Sequence, residues 1–324
     1  MTGSVRERTA TEVVPGVLRL EEPDGPRWIC QFVVNAPDAV LIVDAGLPGS
    51  AERSVLPALR RLGARDRSLL ITHPDTDHCG GTAELVAAIP GLEVIAHEAD
   101  RDALGDPDRT IERRYRRFAA DGVEPDAAAL ARLRRRLGGA FRVDRTVADG
   151  HELRLGATIA SVVHLPGHSP GHVGVWLPDA RVLIAADAAM GAGIPTMDGR
   201  LLYPPQFFSP SVYRATLERI ARLRPGVMLC THEPVLEGAA VDAFLRASRD
   251  AVDALEAHVD AALAGGARTL PEICAAVHAL HGSLPDGRAA DLAMTVAGIL
   301  EAMVGARCAD VTATPAGRAW SAAA

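Results

Sequence analysis

Six consecutive positions of this chain carry two imidazoles and two carboxylates: His73-Pro74-Asp75-Thr76-Asp77-His78, inside Thr72 to Gly81. They follow the apolar run Ser68-Leu69-Leu70-Ile71 and precede the pair Gly80-Gly81. An apolar run of that length reads as a buried strand, and the glycines read as a loop turning into a helix. Polar groups packed at the end of a core strand are costly to bury unless a partner compensates them, and a cation is the obvious partner. Two further clusters, Gly167-His168-Ser169-Pro170-Gly171-His172 and Thr231-His232-Glu233-Pro234, stand after strand-like runs, and Asp187 ends the run Leu183-Ile184-Ala185-Ala186. Side chains delivered from several strand ends in this way predict one assembled metal site.

The elements that must position them divide the chain. Runs rich in β-formers at Thr11 to Leu20, Trp28 to Asn35 and Ala39 to Asp44 predict a meander. A helix over Ser54 to Leu62, the strand leading into the His/Asp loop, a helix over Glu84 to Ile89 and a strand over Leu92 to Ala96 continue in a βαβ rhythm, which fits sheets covered by helices. From about Glu98 to Arg145 the chain becomes charged and helical, with Arg113, Arg114, Arg116 and Arg117 in one cluster and Arg132, Arg134, Arg135 and Arg136 in another. Solvated helices making i, i+4 pairs explain such clusters; a cap whose arginines meet an anionic substrate arm is the sharper reading. Strands resume at Ala157 to His164, Val173 to Leu177 and Arg181 to Ala186, followed by the aromatic loop Tyr203 to Phe208, a helix over Ser211 to Leu223 and the strand Val227 to Cys230. Beyond Gly238 come a long helix to Leu263 ending at Gly265-Gly266, a short one opened by Pro271, another over Ala289 to Val304, and a hairpin around Thr314-Pro315-Ala316-Gly317. The order is winged-helix-like. Residues 1–238 form the expected catalytic domain with a cap at 98–145, and 239–324 a small C-terminal helical domain.

Composition narrows the function classes. With 324 residues, 48% of them hydrophobic, the chain can build a full core. A net charge of -7 argues against a general attraction to nucleic acid or anionic membranes. Five widely spaced cysteines with no C-x-x-C pair fit neither a disulfide framework nor a thiolate metal site and suit a reducing cytosol. The start Met1 to Arg8 is polar, and no segment reaches the ~18 apolar residues of a membrane span. A cytoplasmic protein is expected.

Taken together the clusters resemble the metallo-β-lactamase superfamily, whose signature is H-x-H-x-D-H followed by distant His, Asp and His ligands. The resemblance covers about Val13 to Glu237 and implies a four-layer αββα sandwich, of α/β class, with a dinuclear site at one edge. It implies His73 and His168 on a first metal, Asp77, His78 and His232 on a second, and Asp187 bridging them. Asp44, in Val43-Asp44-Ala45-Gly46, matches the family's Asp-x-Gly turn and would support the metal loop, while His172 and Tyr203 would stand behind the ligands or touch substrate. The departure is Asp75, where the family has its second His. Asp75 can be a ligand or can orient one. Two divalent ions are implied, zinc first, with iron or manganese admitted by the acid at position 75.

The activity so implied is a hydrolase that uses a metal-bridging hydroxide, aimed by Asp77, to cleave a small acyl substrate: a thioester, lactone or related ester. Its partner would be a small molecule with an anionic or carrier-bound acyl group. A non-haem diiron oxidoreductase of the same fold is the alternative prompted by Asp75, and a metal-dependent nuclease the next. The C-terminal segment carries only Arg288, Arg307 and Arg318 near its wing, too few for a phosphate-tracking surface; it suits a lid or a homodimer contact better.

Overall fold

A computed structural model describes residues 10–63, 66–264, 268–315 and 317–323. The first sheet holds seven strands in chain order: β1 (Ala10–Val14), β2 (Val17–Asp24), β3 (Arg27–Asn35), β4 (Ala39–Val43), β5 (Asp66–Ile71), β6 (Glu93–His97) and β7 (Arg145–Val147). Pairing is antiparallel from β1 to β4 and parallel from β4 to β7. The switch is a consequence of chain length: turns of two or three residues return a strand antiparallel, whereas parallel neighbours need crossovers. Here α1 (Leu56–Leu62), the single turn α2 (Thr76–Cys79) and α3 (Thr82–Ala88) supply them, and α4 (Pro107–Thr110) and α5 (Ala127–Leu137) precede β7.

The second sheet collects β8 (Glu152–Leu155), β9 (Thr158–His164), β10 (Val173–Leu177) and β11 (Val182–Ala186). A small hairpin, β12 (Ile194–Pro195) with β13 (Leu201–Tyr203), and helix α6 (Pro210–Leu223) intervene before β14 (Val227–Cys230) and β15 (Leu236–Glu237) complete it. The strand order is β15-β14-β11-β10-β9-β8. Period-two burial builds the layers. In β4, Leu41 and Val43 face the core between the sheets while Val40 and Ile42 face outward under α1 and α3; in β11, Val182 and Ile184 face inward and Leu183 and Ala185 face α6. Both faces of each central strand are apolar because both are covered. The result is the αββα sandwich.

The chain continues through α7 (Ala239–Leu263), β16 (Arg268–Thr269), α8 (Leu270–His281), α9 (Ala293–Gly305), β17 (Ala309–Thr314) and β18 (Gly317–Ala322). Val241, Leu255, Ile273, Val296 and Trp320 of this tail share one apolar cluster with Val163, Leu183 and Leu217, so it is packed on the outer face of the second sheet. None of the described helices is long and apolar enough to cross a membrane.

Local differences from the sequence expectations have identifiable causes. The run Thr11 to Leu20 is a hairpin, because Gly16, at φ 81°, turns the chain between Val14 and Val17. The Arg-rich segment is short turns up to Asp121 and one true helix, α5. Asp106-Pro107 starts α4 with an Asp cap, and Gly105, Gly122 and Pro125 punctuate the rest. Gly265, Gly266, Ala316 and the segment Met1 to Arg8 lie outside the described residues.

Candidate metal centre

The clusters converge at one edge of the sandwich, above the C-terminal ends of β4, β5, β11 and β14 and the loop after β9. His73 lies two residues beyond β5, and Asp75 is the extended residue from which the single turn α2 presents Asp77 and His78. Asp187 is aimed by two local features. The β11–β14 register shifts between Ile184 and Ala186, and Ala186 adopts φ 46°; an inserted residue and a left-handed turn re-aim the side chain that follows. His168 rides on a loop pinned by buried Asp100, which accepts from Ser169 Oγ and, at 2.9 Å, from Gly171 N. Any Cβ on Gly171 would stand 2.7 Å from the Asp100 backbone nitrogen, so glycine is required there.

Four imidazoles are held by Nδ1 and present Nε2 inward. His78 Nδ1 donates to Asp44 Oδ2 (2.7 Å), His168 Nδ1 to the Gln206 carbonyl (3.0 Å) and His232 Nδ1 to the Trp28 carbonyl (2.9 Å). His73 Nδ1 lies 3.0 Å from Thr72 Oγ1, whose own proton goes to Asp44. This is how metal-binding histidines are commonly oriented. The donor atoms of His73, His168 and Asp187 lie within 4.8 Å of one another, as do those of Asp77, His78 and His232. Asp187 Oδ2 also stands 3.6 Å from His78 Nε2 and 3.3 Å from His232 Nε2, so it touches both groups.

The residues fit a pair of cations on two observations. His73 Nε2 and His78 Nε2 are buried with no hydrogen-bond partner, which is costly without a further ligand. Charge points the same way. Asp44, Asp75, Asp77 and Asp187 stand against two guanidiniums, Arg27 and Arg114, leaving two negative charges uncompensated in a buried cluster. Burial opposes ionisation of Asp77, but Arg27, 2.9 Å from its Oδ2, and the flanking imidazoles outweigh it and hold the carboxyl below its usual range. Burial, then the neighbouring His78, lowers His73 to about 4, so it is neutral and able to ligate. For His78 burial is outweighed by Asp44 and Asp187, which raise it; a bound cation would supply the positive charge that these carboxylates otherwise draw from a proton.

Other expected residues take distinct places. Asp75 is gripped by Arg114, whose Nε donates to Oδ1 (2.6 Å) and Nη2 to Oδ2 (2.8 Å), and Asp75 Oδ2 lies 2.9 Å from His168 Nε2. Asp44 is fully buried, holding Thr72 and His78. His172 is buried behind His73, with ring centroids 4.9 Å apart; its Nε2 accepts from Asp187 N at 3.3 Å, and it is not among the residues that line the cavity. Tyr203 lines the cavity with Arg27 and Arg288 over its ring at 5.4 and 4.3 Å. That cavity, about 830 Å³, has Asp75, Asp77, His168 and Asp187 at its floor. Its walls include Phe118, Arg132 and Leu133 of the cap and Arg288, Asp291 and Met294 of the tail.

Sequence reasoning missed three contributors. Arg27 sits on a strand and is buried in the site, Arg114 stands among arginines with solvated neighbours, and Asp100 anchors the His168 loop from across the sandwich. Only the contacts set them apart.

Fold and site together define a metal-dependent hydrolase. A sequence profile of the metallo-β-lactamase superfamily matches residues 31–232, and the chain belongs to that superfamily. It is 27% identical over 237 residues to a hydroxyacylglutathione hydrolase of Rhodospirillum rubrum, covering 73% of this chain and 74% of that one. A linear primary-alkylsulfatase of a Pseudomonas species is 26% identical over 236 residues, covering 68% of this chain but only 44% of the sulfatase, so the chain spans under half of that relative. Among solved structures, a metallo-β-lactamase family protein of Thermus thermophilus superposes with a TM-score of 0.71 at 20% identity, covering 96% of this chain and all of that one. A β-lactamase domain protein of Burkholderia ambifaria gives 0.72 at 18% identity, with 98% and 94% covered. At such identities the likeness is one of fold, and it extends through the C-terminal segment.

Proposed function

We propose that the chain hydrolyses an acyl thioester, or a related ester or lactone, that carries an anionic arm, on a pair of divalent ions with zinc as the first choice. The observation that carries this reading is the pair of donor groups joined by Asp187 at the floor of an 830 Å³ cavity. His73, His168 and Asp187 would hold one ion, Asp77, His78 and His232 the other, with Asp187 between them. Bound metal ions supply Lewis acidity and bring the pKa of water towards neutrality.

The chain's own groups do the positioning. Asp77, kept ionised by Arg27, accepts a hydrogen bond from the attacking water and aims it at the acyl carbon. Tyr203, braced between Arg27 and Arg288, forms a flat wall for the acyl group. Arg132 lines the cavity, is exposed and makes no ion pair among the described residues, so it is the guanidinium available to an anionic arm. Arg136 is committed to Asp24 through two 2.8 Å bonds and is not. Relatives named hydroxyacylglutathione hydrolase support the thioester class, and the named alkylsulfatase supports an anionic group near the centre.

The division into a catalytic part, 1–238, and a C-terminal part, 239–324, goes with a role for the latter as cavity wall, since Arg288 and Met294 line it. Arg288 is engaged by Asp291 and Arg318 by Asp121, which supports a wall over a nucleic-acid surface as the role of this segment. The test pairs elemental analysis with a panel of thioesters, lactones, β-lactams and phosphodiesters, for the wild type and for Asp187→Ala and His168→Ala. Loss of metal and of thioester turnover together is expected. Turnover by fully demetallated protein would end the reading.

A further inference from the structure

Asp75 stands where a metal ligand is expected, and its surroundings are unusual for one. Its Oδ2 lies 2.9 Å from His168 Nε2 and 3.5 Å from His73 Nε2. Donors bound at about 2.1 Å to one tetrahedral ion lie about 3.4 Å apart, so these separations are those of a shared coordination shell. A carboxylate there brings a negative charge that an imidazole does not.

Arg114 removes that charge. Its fork meets both oxygens of Asp75, the geometry in which a guanidinium binds a carboxylate best. Neither side chain is free to relax into water: they are 10% and 16% exposed. Nη1 is tied at 2.8 Å to the carbonyl of His168 and at 3.3 Å to Met294 Sδ, and Tyr115 Oη donates to Asp75 Oδ1 at 3.3 Å. Nη2 has a second neighbour, His168 Nε2, at 2.9 Å. An N–H placed there is aimed at the lone pair that a cation would take.

We infer that Asp75 and Arg114 act as one electrically neutral unit in place of an imidazole, and that Arg114 is the positioning residue which limits how tightly the His73–His168–Asp187 group holds its cation. The inference rests on the ligand set proposed above. Both physical effects have the same sign. Arg114 repels a cation across a short, poorly screened distance and occupies a lone pair the cation needs. The second donor group differs in degree: Arg27 Nη1 also stands by an inward nitrogen, His232 Nε2, but at the longer 3.4 Å, and Arg27 divides its charge between Asp77 and Asp24, to which it makes two of its bonds. The His73 side is accordingly the weaker of the two.

Zinc binding by metal-free protein, measured in competition with a chromophoric chelator, tests this on the wild type, Arg114→Gln, Asp75→Asn, the double variant and His73→Ala, which identifies the weaker constant by abolishing it. Arg114→Gln should tighten that constant at least tenfold and Asp75→Asn weaken it at least tenfold. The double variant, neutral again, should return to within about threefold of the wild type, because charge and not the particular side chains sets the affinity. If Asp75→Asn does not fold, Arg114→Gln against the wild type still decides, since both keep Asp75 and differ only in the guanidinium that compensates it. Two bound ions with unchanged constants in Arg114→Gln would overturn this inference alone. A wild type that binds no zinc would overturn the ligand set and this inference with it.

Discussion

Asp44 Oδ2 accepts the Nδ1 proton of His78 across 2.7 Å with both side chains fully buried, and the same carboxylate holds the backbone and hydroxyl of Thr72. Asp44 does this from φ 65°, a conformation that costs a non-glycine residue of order 1–3 kcal/mol. A single carboxylate thus fixes the tautomer of one inward-facing imidazole and, through Thr72, the orientation of His73.

Asp44→Asn should therefore affect the site more than its conservative size suggests. The amide keeps one acceptor oxygen but turns an N–H toward a donor, leaving a buried polar group unsatisfied at about 1–3 kcal/mol. Chemical denaturation should register that loss. Zinc affinity should fall about 10- to 100-fold, as is typical when a group orienting a ligand is removed. An affinity equal to wild type would show that Asp44 does not orient His78.

Gly298→Ala reverses an ordinary rule. Within a helix this change usually stabilises by about 1 kcal/mol. On α9, a Cβ at position 298 would lie 2.4 Å from the Phe208 carbonyl oxygen and 3.2 Å from Ser209 N, both backbone atoms that cannot step aside. A loss of about 1–3 kcal/mol is expected by overpacking. Gly305→Ala on the same helix meets nothing within 4 Å and serves as the control, expected neutral or stabilising. Equal melting temperatures for the two variants would contradict this contact between tail and aromatic loop.

Arg318 ties the terminal hairpin to the cap by donating to Asp121 from its backbone N (3.1 Å), Nε (3.0 Å) and Nη2 (2.7 Å). Arg318→Ala leaves a buried carboxylate with one backbone donor, a destabilisation of about 1–3 kcal/mol. Hydrogen exchange should rise in the cap around Phe118 and Val123, which wall the cavity. The hydrogen bonds from Arg318 outweigh burial and lower the Asp121 carboxyl. Its contribution is present above about pH 3.9 and is lost as pH falls through the depressed folded value. The variant should flatten stability against pH at that acid end.

Stacked imidazoles give a second pH dependence. His97 and His164 lie with centroids 4.2 Å apart at 9°, His164 Nε2 donating to the Pro170 carbonyl and His97 Nδ1 accepting from Ala99 N. Burial, then His164, lowers His97, with Glu98 and Asp149 opposing. A depressed folded value means the stabilisation is complete above about pH 6.5 and is lost as pH falls through that lower value. The melting temperature should decline more steeply below pH 6.5 in the wild type than in His97→Phe. Parallel curves would show that His97 does not titrate as described.

Much of this was legible in the sequence because it is local. Apolar runs ending in His or Asp mark strands that deliver polar groups, and the unbroken apolar run of Ala39 to Val43 already says that both faces are covered. The same logic failed in the Arg-rich segment, where Arg113, Arg114, Arg116 and Arg117 look alike. Arg116 does pair with Glu112 on the surface, as helical spacing predicts, while Arg114 is buried against Asp75.

By itself, then, the sequence determined the superfamily, the strands that carry the site and the residue types able to ligate, since these follow from nearest neighbours and from hydrophobic period. Only the tertiary structure decided which charges meet. Arg27, Arg114 and Asp100 act on residues 50, 39 and 71 positions away, at Asp77, Asp75 and Gly171. Electrostatic and hydrogen-bond energies depend on distance in space, and no spacing along the chain encodes that distance before the sheets are packed.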